Sequence, residues 1–292
     1  MSDASSPHVL TEELVGPLSP LTLADRPAVL ESVEWVPRVL ADLAVPRPRR
    51  GSIRLTDHDV RTALAPPDHA GAAVLPFSWS ARTTRRALGL IAVRSLVAAE
   101  TRSPVAGVRV AIADAVRSAR QGERPASSMD RWLAGLPPAG LAVVEAEAVT
   151  WATRLWCALD WGDLHDVPTI GRDHWWDSPH SSLLAIRSRA EVRSVGFDAE
   201  GSPFSVHLVV LGGPRRASVR SELSVLAMVE AQKGTHSLPP GRIIGWWPDS
   251  GHVVKVEVDR AAVAAGVEAV ARTLARVEAS APPLKQAARV AV

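Results

Sequence analysis

The chain has 292 residues, enough for one large domain or two ordinary ones. Apolar residues make up 47%, which excludes a disordered chain and gives a core to bury. The formal charge of +2 excludes the strong overall positive excess of an obligate nucleic-acid binder, although a local basic patch stays open.

Met1 to Pro20 reads as a loose tail. Leu21 to Leu43 predicts short helices, and Pro46 to Gly51 (Pro-Arg-Pro-Arg-Arg-Gly) a linker. Thr56 or Asp57 caps a short helix over Val60 to Leu64. Ala65 to Phe77 is loop by its prolines. From Ser80 the apolar residues Leu88, Ile91, Ala92, Leu96 and Ala99 form a helical stripe. Ser103-Pro104 opens a second helix that runs to about Gln121. Gln121 to Ser128 is a polar break, and a third helix spans about Pro138 to Leu159.

The period then changes from 3.6 to 2. Ala185 to Val195 alternates as a single strand, with Arg187, Arg189, Glu191 and Arg193 on one side and Ile186, Ala190 and Val192 on the other. Val206 to Leu211 is a nearly continuous apolar strand, as a central strand requires. Ser218 caps a helix that ends near Gly234. Arg242 to Trp247 and His252 to Val258 form a hairpin about Pro248 to Gly251, and Asp259 caps the last helix. The expected architecture is α/β in the α+β sense: a mixed central sheet flanked by helices, after a mainly helical N-terminal region. Residues 1–50 form the tail and short helices, 51–137 the helical region, 138–280 the α/β core and 281–292 a C-terminal tail.

That order of elements resembles the PD-(D/E)XK nuclease superfamily, in particular its RecB-type exonuclease domain. Ser188-Arg189-Ala190-Glu191 looks like the family's second-strand segment, with Glu191 at the acid position. Leu208 to Gly213 looks like the third strand, whose acid and lysine positions fall on Val210 and Gly212. Glu222-Leu223 stands at the pair carried by the next helix. In the family, two acids hold Mg²⁺ and the lysine aligns the attacking water. Valine cannot ligate a metal and glycine cannot orient water. The resemblance therefore implies a nuclease-like protein that has lost its catalytic motif, with DNA or a DNA-processing complex as the implied partner and no cofactor.

Other residues leave alternatives open. Asp160, Asp163, His165, Asp166, Asp173, His174, Asp177 and His180 read as a solvated loop with turn-capping aspartates. With Glu191, the acids of 160–177 are also the candidate ligands of an active metal-dependent nuclease or hydrolase. Arg82, Arg85, Arg86 and Arg94 decorate the first long helix, and with Arg47, Arg49, Arg50 and Arg54 they form a candidate phosphate-binding patch. Ten Trp with no Tyr, including the pairs Trp175-Trp176 and Trp246-Trp247, read as core and lid packing or as the surface of a protein-binding scaffold. Cys157 is the only cysteine, which fits a reducing compartment, and its neighbours predict a buried thiol. With no apolar run of about 18 residues and no signal peptide at the start, a cytoplasmic protein without a membrane partner is expected.

Overall fold

The computed structural model describes residues 9–43, 53–66, 78–122, 126–164, 168–171, 173–180, 184–233 and 238–279. The described elements run α1 (Val9–Val15), α2 (Pro20–Leu43), β1 (Ile53–Leu55), α3 (Asp57–Leu64), α4 (Ala81–Val97), α5 (Pro104–Gln121), α6 (Ser128–Ala134) and α7 (Pro138–Cys157). They continue as β2 (Thr169–Ile170), β3 (His174–Asp177), β4 (Leu184–Ser188), β5 (Val192–Phe197), β6 (Pro203–Val210), α8 (Val219–Ala231), β7 (Pro240–Trp247), β8 (His252–Glu257) and α9 (Arg260–Ala279). The expected mixed α+β class holds. No helix among the described residues is long and apolar enough to cross a membrane.

A five-stranded sheet has the order β2-β5-β6-β7-β8. β5 and β6 form a hairpin. α8 then carries the chain across so that β7 lies parallel to β6, and β8 returns antiparallel. The carboxyl half of β6 is apolar on both faces, and both are covered. Phe204, Val206, Leu208 and Val210 pack into a cluster with α1, α4, α5 and α7, while Val209 and Leu211 pack with α2, α3, α8 and α9. β7 divides the same way, with Ile244 and Trp246 on the first side and Ile243 and Trp247 on the second.

The structure corrects several expectations. Ala185 to Val195 is not one strand: β4 joins a separate three-stranded sheet, ordered β1-β4-β3, and only β5 pairs with β6. The chain bends at Arg189-Ala190, where Ala190 is buried and Glu191 turns its carboxylate to the Val210 amide. The supposed loop around residue 174 contains β3, paired with β4. α2 is one helix of 24 residues despite Pro27 and Pro37. Each proline removes one intrahelical bond, but Val29, Val36 and Leu40 bury the helix in the core shared with α8 and α9. The tail contains α1, pinned by buried Leu10 and Leu14. Cys157 is exposed at the end of α7, not buried. The linker 46–50 and the loop over 67–77 lie outside the described residues.

Candidate functional site

The carboxyl ends of parallel β6 and β7 open onto the segment that leads from Leu211 into α8. In open α/β sheets, the crevice beyond such strand ends is the usual place for a ligand. Chain leaving the sheet there exposes backbone and flanking side chains to one shared space.

Glu191 organises the inner part of that space. It is fully buried. One carboxylate oxygen accepts hydrogen bonds from Arg189 Nε and Nη2, at 3.0 and 2.8 Å, and from Arg86 Nε; the other accepts from the Val210 amide at 2.7 Å. Arg189 also donates to Asp57 of α3 at 2.9 Å. Arg86, on α4, reaches Asp173 at 3.3 Å, and Asp173 in turn pairs with Arg187. Acids and guanidiniums thus alternate from α3 through the β4–β5 bend to α4. Burial by itself would raise the Glu191 carboxyl, but Arg189, Arg86 and the Val210 amide outweigh it and hold it down at about 2.

The four positions picked out by the nuclease resemblance meet here. Val210, Gly212 and Glu222 line one small cavity of about 50 Å³ together with Asp57, Arg189 and Arg216. Glu191 is bonded to its wall through Val210 and Arg189. Each carboxylate already has a cationic partner. Glu222 takes a bidentate fork from Arg216, at 2.7 and 2.6 Å, and a hydroxyl from Ser218 at 2.8 Å. A divalent cation on Glu191 would have to displace two guanidiniums, and Val210 supplies no second anionic ligand. Among the described residues, no group of three or more His, Cys, Asp or Glu is placed to hold a metal ion. Asp160 accepts the Gly162 amide at 3.0 Å in its own turn, and Asp173 belongs to the ion network. His165 and Asp166 lie outside the described residues.

Two larger grooves flank the Gly212-Gly213 turn. The first, about 530 Å³, lies between that turn and the wall of α4 and α7, and it takes Arg61, Arg82, Arg85, Arg86, Arg154 and Arg189. The second, about 760 Å³, lies on the other side and takes Arg61, Arg215, Arg216 and Arg272 with no carboxylate. Among the described residues, the cavity and both grooves are lined by ten arginines and four carboxylates (Asp57, Glu147, Glu222 and Asp249). Behind that lining Glu191, Asp173 and Glu268 pair with Arg86, Arg187, Arg189 and Arg272, and the surplus of positive charge that is left stands at one end of the sheet. Concave, weakly polarisable walls focus such a potential onto an incoming anion.

The arginines singled out from sequence have different fates. Arg82 is exposed in the first groove and has no acidic partner among the described residues. Arg85 makes a bond of 3.3 Å to Glu147. Arg86 is half-buried and committed to Glu191, so it is not the exposed residue its helical spacing suggested. Arg94 donates to the Ile170 carbonyl, and Arg54 stacks over Trp175 at 5.2 Å, both away from the grooves' lining. Arg47, Arg49 and Arg50 lie outside the described residues. Sequence reasoning missed Arg61, Arg154, Arg215 and Arg216 as site residues. The available signal was Gly212-Gly213 closing an apolar strand, which marks the turn about which they gather. Comparison with family models, with curated proteins and with solved structures finds no match to this chain.

Proposed function

We propose that this protein is a catalytically inactive, nuclease-like accessory factor that binds nucleic acid, alone or within a DNA-processing complex. The observation that carries this reading is the convergence of ten arginines at the carboxyl ends of β6 and β7, against four carboxylates in the lining and three behind it. Planar guanidiniums bind phosphate oxygens in bidentate geometry and keep their charge at any physiological pH. The order of helix, hairpin, crossover helix, parallel strand and hairpin supports a PD-(D/E)XK-like core. The loss of cutting follows from Val210 and Gly212 in the acid and lysine positions and from the guanidiniums that occupy Glu191.

Binding through phosphates alone carries little sequence information and weakens steeply with salt. The test is a fluorescence anisotropy titration at low salt, beside a cleavage assay with Mg²⁺ or Mn²⁺. Single- and double-stranded DNA should both survive intact. Arg82→Ala with Arg85→Ala should reduce affinity several-fold and leave the melting temperature near that of the unmodified protein, since substitutions at exposed positions change stability by about 0.5 kcal/mol or less. Cleavage that disappears in Glu191→Gln would instead favour the metal-dependent hydrolase. Absence of any nucleic-acid binding would favour the protein-binding scaffold.

A further inference from the structure

The two grooves are not independent sites. Both are walled by Arg61, Gly212 and Gly213, so they meet over the turn that links β6 to α8. A side chain at either glycine would point into open space, with no heavy atom within 4 Å of its Cβ. Gly213 also has a φ of +75°, a conformation that favours glycine. Gly212 has no such backbone requirement, so its lack of a side chain is explained neither by packing nor by conformation. Among the described residues, what the two glycines leave is a low saddle between two arginine-lined grooves.

We infer that a single nucleic-acid strand lies across this saddle, with successive phosphates in the first groove, over Gly212-Gly213 and in the second groove. This rests on the nucleic-acid reading above and adds the path and the strandedness of the ligand. Three features support it. The cationic lining continues on both sides: Arg82 and Arg85 on the α4 wall, Arg215 and Arg272 beyond the turn. A compact anion would be served by one groove, whereas a cationic track through two suits a linear polyanion. Volumes of about 530 and 760 Å³ fall in the range of small-molecule clefts, so each has room for roughly one or two nucleotides of an unpaired strand. The hydroxyl of Ser221 in the second groove adds a donor of the kind that contacts phosphates, whereas those of Thr83 and Thr150 in the first donate to the Ser80 and Ala146 carbonyls. Among the described residues no exposed aromatic side chain lines either groove, so they offer phosphate contacts rather than base stacking and sequence preference is weak.

The decisive variant is Gly212→Leu. It adds no charge, its Cβ meets no neighbour and it needs no left-handed backbone, so it obstructs the saddle without altering the net charge of the grooves. Binding of oligothymidylate of about twelve nucleotides, a length within the usual site sizes for single strands, is measured against a mononucleotide, a matched duplex and polyglutamate. Gly212→Leu should weaken the long oligonucleotide about tenfold or more and affect the mononucleotide little. Arg82→Ala and Arg215→Ala, on opposite sides, should each weaken the long oligonucleotide several-fold and lower its salt slope by about one. Circular dichroism and thermal melting establish that each variant is folded. Long-oligonucleotide binding that is unchanged in Gly212→Leu and Arg215→Ala would overturn the path across the saddle while leaving nucleic-acid binding in place. Equal or tighter binding of the duplex would overturn the single strand, and equal binding of polyglutamate would overturn the nucleic acid as the polyanion. No binding of any oligonucleotide would remove the proposed function itself.

Discussion

Glu191 is the residue on which the inner site depends. It is buried without solvent contact and receives hydrogen bonds from two guanidiniums and one backbone amide. Removing one side of a buried ion pair costs roughly 3–5 kcal/mol where the remaining charge is left without a partner, but here Arg189 keeps Asp57 and Arg86 keeps Asp173, so Glu191→Gln should cost about 1–3 kcal/mol. The thermal midpoint should fall by about 2–5 °C, and calorimetry would measure it. The same carboxylate predicts a pH signature. Its folded value is about 2 against an ordinary 4.5, so its contribution is fully present above about pH 4.5 and is lost as the pH falls towards 2. Glu230 and Glu257 are held equally low and lose stability in the same window, so the informative quantity is the difference between proteins. Unmodified protein should lose stability between pH 4.5 and 2 more steeply than Glu191→Gln, and parallel curves would show that the charge on Glu191 is not the source. His207 acts in a separate window. Burial pushes its imidazole down to about 4, against the pull of Glu230 at 3.5 Å, so stability falls as the pH drops from about 6.5 to 4.

At the scale of elements, close helix packing sets the sign of two superficially identical substitutions. In a helix interior, glycine to alanine normally stabilises by about 1 kcal/mol. Gly266 of α9 lies against α8, and a Cβ there would stand 2.3 Å from the Ser224 carbonyl oxygen. That atom belongs to a helix backbone and cannot step aside without shifting α8. Overpacking costs typically about 1–3 kcal/mol, so Gly266→Ala should destabilise. Gly140 in the first turn of α7 has no neighbour closer than 3.4 Å, and Gly140→Ala should be neutral or mildly stabilising. Urea denaturation of both variants would check the pair, and a stabilised Gly266→Ala would mean that α8 and α9 are not held at this separation. Capping also explains what the hydrophobic pattern missed. α6 is too short to show a clear stripe, but Ser127 and Asp130 form a capping box at its start, a signature legible within the supposed polar break.

For the whole molecule, a buried arginine fastens the link between the N-terminal helices to the opposite end of the same sheet. Arg242 is 1% exposed and donates to the carbonyls of Glu13, Gly16 and Pro17 at 2.7, 3.1 and 2.6 Å, and to Glu257 at 3.1 Å. Glu257 also accepts the Ser19 amide at 3.1 Å. The link between α1 and α2 thus satisfies its carbonyls with an arginine from β7, where a helix or strand would use backbone partners. Arg242→Met should leave those groups unpaired and loosen the link. Limited proteolysis should then cut near Gly16 to Ser19 faster than in the unmodified protein, and unchanged cleavage there would show that the helices dock without this anchor.

The sequence by itself determined the elements whose pattern is local. The α4, α5 and α7 helices, their starts near Ser80 and after Ser103-Pro104, the apolar run of β6 and the hairpin of β7 and β8 all reflect periodicity or turn chemistry within a few residues. It also marked Glu191, Val210, Gly212 and Glu222, and these positions do gather around one cavity. Only the tertiary structure decided what those residues face. The bend at Arg189-Ala190 is invisible as alternation because its cause, the Val210 amide, is 19 residues away from Glu191. Whether an arginine is a free cation or an internal counter-ion is equally nonlocal: Arg82 and Arg86 sit one turn apart on α4, yet one lies exposed in a groove and the other closes an ion pair with a residue 105 positions away. The basic grooves exist because α3, α4, α7, α9 and the β6–α8 turn bring their arginines to one end of a sheet, and total charge averages that asymmetry away.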